Sequence, residues 1–128
     1  MPIQERRRRR ASISTDGATL ALRYQLLACC EDGGIEAMVV ADGDGLPLAS
    51  SGDTLACDEV AAKMVVVGRR IKQFDGTLLG GGTKYDVQMV KVEVEGTELL
   101  VCAVGGTPEA RKRQIARSAE GALRILAV

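Results

Sequence analysis

The chain has 128 residues, with 17 Lys+Arg balanced by 17 Asp+Glu, no His, no Trp, one Phe, two Tyr and four Cys. One domain of this length buries a sizeable core, here of Val, Leu, Ile, Ala and Met rather than aromatic side chains. Histidine-based catalysis and a Cys/His zinc set are excluded by composition and spacing, since Cys29, Cys30, Cys57 and Cys102 form no CxxC pair.

Residues 1–13 read as a disordered basic tail. Arg6 to Arg10 are five like charges without apolar periodicity around them. The run resembles a twin-arginine signal, but the polar stretch that follows is no signal h-region. No segment reaches the ~20 apolar residues of a membrane helix. The expectation is a cytoplasmic protein with reduced thiols, and a domain spanning 14–128. The tail is a solvated arm, or a contact for an acidic protein, lipid or nucleic acid. Arg9-Arg10-Ala11-Ser12 also has the form of a basophilic kinase site, with Ser12 as acceptor.

Ser14-Thr15-Asp16 offers N-cap oxygens for a first helix. Leu20, Tyr24, Leu27 and Glu31 form one stripe of it, with Leu22, Leu26 and Cys30 beside them; Asp32-Gly33-Gly34 ends it. Ile35–Ala41 is a buried strand, and Asp42-Gly43-Asp44-Gly45 a tight turn. Leu46–Ser50 pairs back, with Pro47 marking a free edge or a break. A second helix is predicted over Leu55–Phe74, capped by Asp53 or Thr54. Val60, Met64, Val67 and Ile71 make one apolar stripe; Ala61, Val65 and Gly68 make another. So wide an apolar surface exceeds what one sheet face covers, and points to a second copy of the chain.

Leu78-Leu79 is a weak strand running into a flexible Gly80–Gly82 loop. Tyr85–Glu95 is a strong strand whose apolar phase slips at Met89-Val90, by a bulge or by burial on both faces. Glu95-Gly96 turns the chain into Leu99–Val104. Thr107-Pro108-Glu109 starts a last helix, with Ile115, Ala119, Ala122, Leu123 and Leu126 facing the core and Arg111, Lys112, Arg113, Arg117 and Arg124 turned away. The order α-β-β-α-β-β-β-α predicts an α+β domain with an antiparallel sheet.

No acid, base and nucleophile set assembles, so no enzyme is expected. Asp42–Gly45 resembles the opening of a calcium loop but lacks the later ligands and closing Glu. Gly80–Lys84 lacks the first Gly of a phosphate loop. No catalytic, cofactor or metal residue is assigned.

The segment DGDGLPLASSG at 42–52, the strand 36–41 before it, EVAAK at 59–63 and VKVEVEGTELLVCAVGG at 90–106 together resemble the Roadblock family, in its single-domain bacterial and archaeal form. The resemblance covers about residues 17–127. It implies a profilin-like five-stranded antiparallel sheet, with the first and last helices on one face and the central helix on the other. It also implies a homodimer through the central helix and third strand, acting as regulator or scaffold of a Ras-like small GTPase. Some gliding-motility members stimulate their GTPase by reshaping its own site. The Arg-rich tail and the Gly80–Gly82 loop depart from the family pattern. The expected dimer residues are Val60, Met64, Val65, Val67, Gly68, Ile71, Leu78 and Leu79. Lys63, Arg69, Arg70 and Lys72 are either a solvated face or contacts for the GTPase. A different reading makes the domain a dimeric adaptor working through its tail on membrane or nucleic acid.

Overall fold

Strand β1, Ala37–Asp42, is buried at all six positions, because helices cover it on both faces. This is why it reads as an unbroken apolar run rather than an alternating one. The computed structural model describes residues 17–127. The tail, Ser12 and the capping residues Ser14, Thr15 and Asp16 lie outside the described residues.

Helix α1 spans Gly17–Gly33. Strand β2 is Pro47–Gly52, helix α2 Thr54–Val67, β3 Gln73–Gly80, β4 Thr83–Val94, β5 Thr97–Val104 and helix α3 Pro108–Leu126. The five strands form one antiparallel sheet in the order β2-β1-β5-β4-β3. The fold is therefore α+β with helices on both faces, in the element order expected.

Strand alternation sorts the core into two halves. Met38, Val40, Val101 and Ala103 face α1 and α3, where Leu22, Leu26, Cys29, Ile115 and Ala122 meet them. Ala37, Val39, Ala41, Leu100, Cys102 and Val104 face α2, where Ala56, Cys57, Val60, Ala61 and Met64 meet them. On β4, Tyr85, Val87 and Met89 join the α2 side, while Val90, Val92 and Val94 join the other. The apparent phase slip at Met89-Val90 is thus burial on both faces, and β4 keeps an unbroken register with both neighbours. The irregularity falls in β1–β2 instead. There Val40 pairs with Ala49 but Ala41 pairs with Pro47, and the prolyl strand lies at the sheet edge.

Several local signals act as the sequence implies. Asp42 Oδ1 accepts from Asp44 N at 2.8 Å and from Leu46 N at 3.1 Å, closing the turn. Asp53 caps α2 through Ala56 N at 3.1 Å, and Thr107 caps α3 through Ala110 N at 3.1 Å.

Three expectations need correction. Helix α2 ends at Val67 with Gly68 as C-cap, and Phe74 belongs to β3. The apolar spacing survives this change because Ile71 and Phe74 continue the apolar run from a turn and a strand. Gly80–Gly82 is no flexible loop: β3 pairs with β4 up to Gly80↔Thr83, leaving Gly81 (φ 56°) and Gly82 (φ 83°) as a two-residue turn. Two positive φ values match the strand twist, and glycine adopts them without steric cost. On α1 the sequence leaves open which stripe is buried, and the structure turns Leu20, Tyr24 and Leu27 outward and buries Leu22, Leu26, Cys29 and Cys30. On α3, Arg111 is buried and Leu123 is exposed. The Arg111 guanidinium folds back to donate to Gly105 O at 3.0 Å and Gly106 O at 2.9 Å, securing the β5–α3 connection.

Candidate dimer and partner interface

One helix covers the α2 face of the sheet. A helix is about 10 Å across, whereas five strands spaced about 4.8 Å apart are roughly twice as wide. The side chains pointing down from α2 meet β1, β5 and β4, so the β3 side of this face is left half covered. Phe74, Gly76 and Leu78 point to it, paired with Met89, Val87 and Tyr85 on β4. All three are only partly buried. The outer side of β3, eight residues long, has no partner strand among the described residues.

The flank of α2 next to this gap follows from the position of Glu59, whose carboxylate packs against Gly80 where β3 ends. At helical spacing, Lys63, Val66 and Val67 share that flank. Val66 is 58% exposed and Val67 partly buried. Ile71, 43% exposed, follows at the turn into β3. Leu55 is also exposed, a turn before Glu59.

The expected dimer residues therefore separate into three groups. Val60 and Met64 are wholly buried beneath α2 and belong to the core of the protomer, so they offer no surface to a second copy. Val65 and Gly68 lie on the opposite flank. Val65 sits against Gly45 of the β1–β2 turn, Gly68 sits over Leu100, and both line a cleft of about 220 Å³ with Gly43, Arg69, Lys91 and Glu98. Val67, Ile71 and Leu78 fall beside the gap. Leu79 is 65% exposed but points to the other sheet face, paired with Lys84. Phe74 and Val66 complete the apolar surface. Periodicity alone puts Phe74 in a helix and makes Val66 filler between stripes; the breaker Gly68 is the signal that corrects both.

Lys63, Arg69, Arg70 and Lys72 are all exposed. Arg69, Arg70 and Lys72 come together on the short α2–β3 connection, and Lys63 stands on the helix before it. Asp53, Asp58 and Glu59 occupy the other end of α2, so the helix is acidic at its start and basic beyond its end, in keeping with its dipole.

All four thiols are free and buried. Burial first, then the neighbouring Cys30, pushes the Cys57 thiol up to about 11. Burial raises Cys102 further still, and also raises Cys30. Such thiols are poor nucleophiles. Among the described residues no group of three His, Cys, Asp or Glu side chains is placed to hold a metal ion.

This arrangement matches solved structures at low sequence identity. An MglB "with tetrameric arrangement" superposes with a TM-score of 0.63 at 16% identity, over 86% of this chain and 90% of that one. The gliding protein MglB from Thermus thermophilus gives 0.60 at 16%, over 86% and 91%. A Roadblock/LC7 domain from Streptomyces avermitilis gives 0.56 at 16%, over 81% and 96%. The chain has the Roadblock fold. No family model and no curated protein sequence matches it.

Proposed function

We propose that the chain is a homodimeric regulator or scaffold for a Ras-like small GTPase, contributing no catalytic group of its own. The observation that carries the dimer is the open strip of Val66, Val67, Ile71, Phe74 and Leu78 beside an edge strand with free backbone groups. A second copy related by a two-fold axis satisfies both needs. Antiparallel β3–β3 pairing extends the sheet, and the two α2 helices close over the strip. That two-fold also sets the acidic start of one α2 opposite the basic end of the other, which favours antiparallel packing of the two helices.

The likeness of the fold to MglB structures supports the GTPase reading. Lys63, Arg70 and Lys72 supply the polar contacts nearest the dimer surface. The stimulation of a GTPase by such a module acts on the partner's own residues. The test is a calorimetric titration of the purified chain with small GTPases from the same genome, in the GDP state and with a non-hydrolysable GTP analogue. Binding in one state is expected; no binding in either overturns the GTPase reading. A molar mass of one protomer by light scattering at micromolar concentration overturns the dimer separately.

A further inference from the structure

The carboxylate of Glu59 is poorly provided for within the protomer. Its Oε2 is buried without a hydrogen-bond partner. It lies on Gly80, beside the Tyr85 ring, so close that a Cβ at Gly80 would occupy the same space. Burial first, then the charge of Glu59, raises the Tyr85 hydroxyl above its ordinary value. Among the described residues no Lys or Arg pairs with Glu59. A buried carboxylate oxygen without a donor is costly. This one sits at the end of β3, beside the open edge.

The peptide groups of β3 alternate in direction. Lys91 N donates to Lys72 O, so Lys72 turns its peptide group to β4, and by alternation so do Phe74, Gly76, Leu78 and Gly80. Gln73, Asp75, Thr77 and Leu79 turn theirs to the open edge. A two-fold axis normal to the sheet keeps α2 of both copies on one side, so residues directly opposite share a face. Few registers remain. With Thr77 on the axis, Asp75 stands beside Leu79 of the second copy, and Gln73 falls opposite Gly81, which belongs to the turn. With Asp75 on the axis, two carboxylates face each other, which is destabilising. With Gly76 on the axis, every outward residue pairs, Gln73 with Leu79 and Asp75 with Thr77 of the second copy. On the α2 side Phe74 then stands opposite Leu78, and its ring already lies over Gly76, at the axis.

The same register sets Lys72 of the second copy directly opposite Gly80. Lys72 is exposed, one residue before β3, and shares the α2 side with Phe74 by alternation. Opposite residues of this kind have Cα atoms about 4.5 Å apart, so a lysine there reaches a carboxylate lying on Gly80. Gly80, having no side chain, leaves that carboxylate open to it.

We infer that Gly76 lies on the two-fold axis of the dimer and that Lys72 of each copy pairs with Glu59 of the other. The inference rests on the β3–β3 dimer proposed above and deepens it. The pair acts on register more than on affinity: a slip along the edge moves Lys72 off Gly80 and leaves Oε2 without its donor. In this dimer Lys72 is engaged, and Lys63 and Arg70 remain for the GTPase.

The test is disulfide trapping along the edge. Asp75 and Thr77 are exposed, and the four native thiols are buried. Under mild oxidation an equimolar mixture of Asp75→Cys and Thr77→Cys chains should give a cross-linked dimer, because these positions are opposite with Cα atoms about 5.5 Å apart. Neither variant alone should cross-link, since its two thiols then lie diagonally, beyond the ~7 Å that a disulfide spans. Cross-linking of either variant alone moves the axis to that residue and overturns the inference. The ion pair is read by sedimentation equilibrium. Glu59→Lys and Lys72→Glu should each weaken the dimer about tenfold, and E59K/K72E should return to within about threefold of the parent. A double variant no tighter than the weaker single one overturns the pair. The parent chain separates the two levels. A monomeric parent removes the dimer itself, whereas a dimeric parent without the mixed cross-link or without recovery removes this inference alone.

Discussion

Lys91, in the middle of β4, reaches across to the end of α2 and donates from Nζ to Gly68 O at 2.5 Å. Its backbone N–H bonds Lys72 O at 2.8 Å, so one residue fixes both ends of the α2–β3 connection. A cation at a helix C-terminus satisfies an orphan carbonyl and opposes the helix dipole. Lys91 also pairs with Glu98 at 3.0 Å. The two interactions differ in environment. The Lys91 side chain is 19% exposed, but Glu98 is 56% exposed and well screened.

Lys91→Met keeps the stem that packs against the sheet and removes the charge. It should cost about 1–2 kcal/mol in urea denaturation, the range for a charge-assisted hydrogen bond to a buried helix end. Glu98→Gln should cost less than about 0.5 kcal/mol, as for an exposed ion pair. Equal losses from the two variants would mean that the ion pair, not the helix cap, holds the connection.

The Gly81-Gly82 turn is tight rather than loose, and substitution distinguishes the two. Asparagine tolerates the left-handed region, and Asn-Gly is a favoured two-residue hairpin. Gly81→Asn should therefore leave stability unchanged within about 0.5 kcal/mol. Gly81→Val places a β-branched residue at φ 56° and should cost about 1–2 kcal/mol. A flexible loop would accept both.

Strands β1, β2, β4 and β5, the β1–β2 turn and two of the helix caps could be read from the chain; the turn and the caps have local chemical causes, Asp42 for the turn, Asp53 and Thr107 for their helices. The faces of α1 could not. Leucines occur at both 20/27 and 22/26, and periodicity alone does not choose which pair meets the sheet. The end of α2 was hidden for a related reason. Gly68 interrupts a helical apolar pattern that Ile71 and Phe74 then continue from a turn and a strand. Burial of Arg111 left no pattern signal either, since its partners are the carbonyls of Gly105 and Gly106 and not an acidic side chain.

Alkaline pH should destabilise the protein through its thiols. An unfolded thiol with the ordinary value of 9.0 loses its proton above that pH, whereas Cys57 in the fold keeps its proton to about 11. Above pH 9 the unfolded state binds fewer protons than the native one, so stability is full below pH 9 and falls as pH rises toward 11. The limit for Cys57 alone is about 3 kcal/mol, from 1.36 kcal/mol per pH unit. Cys102 and Cys30 act in the same direction. Urea midpoints from pH 8 to 11 should decline, and Cys57→Ala should decline less steeply. Parallel curves for parent and variant would remove Cys57 as a cause.

Val65 and Val66 are neighbours in sequence but lie on opposite flanks of α2, and the proposed dimer predicts opposite outcomes for them. Val65 is partly buried against Gly45 and lines the cleft at the end of the helix. Val65→Ser should lower protomer stability by about 1 kcal/mol and leave the molar mass in solution unchanged. Val66 is mostly exposed beside the open strip of Phe74 and Leu78. In a monomer, Val66→Asp would be nearly neutral, since an exposed substitution moves stability by about 0.5 kcal/mol or less. In the two-fold dimer it buries an unpaired carboxylate at the α2–α2 contact, and leaving a buried charge without a partner costs about 3–5 kcal/mol. That weakens association by two orders of magnitude or more, taking 1.4 kcal/mol per decade. Sedimentation velocity at a few concentrations reads both effects. Dissociation by Val65→Ser with an intact Val66→Asp dimer would move the interface to the cleft side of the helix, away from β3.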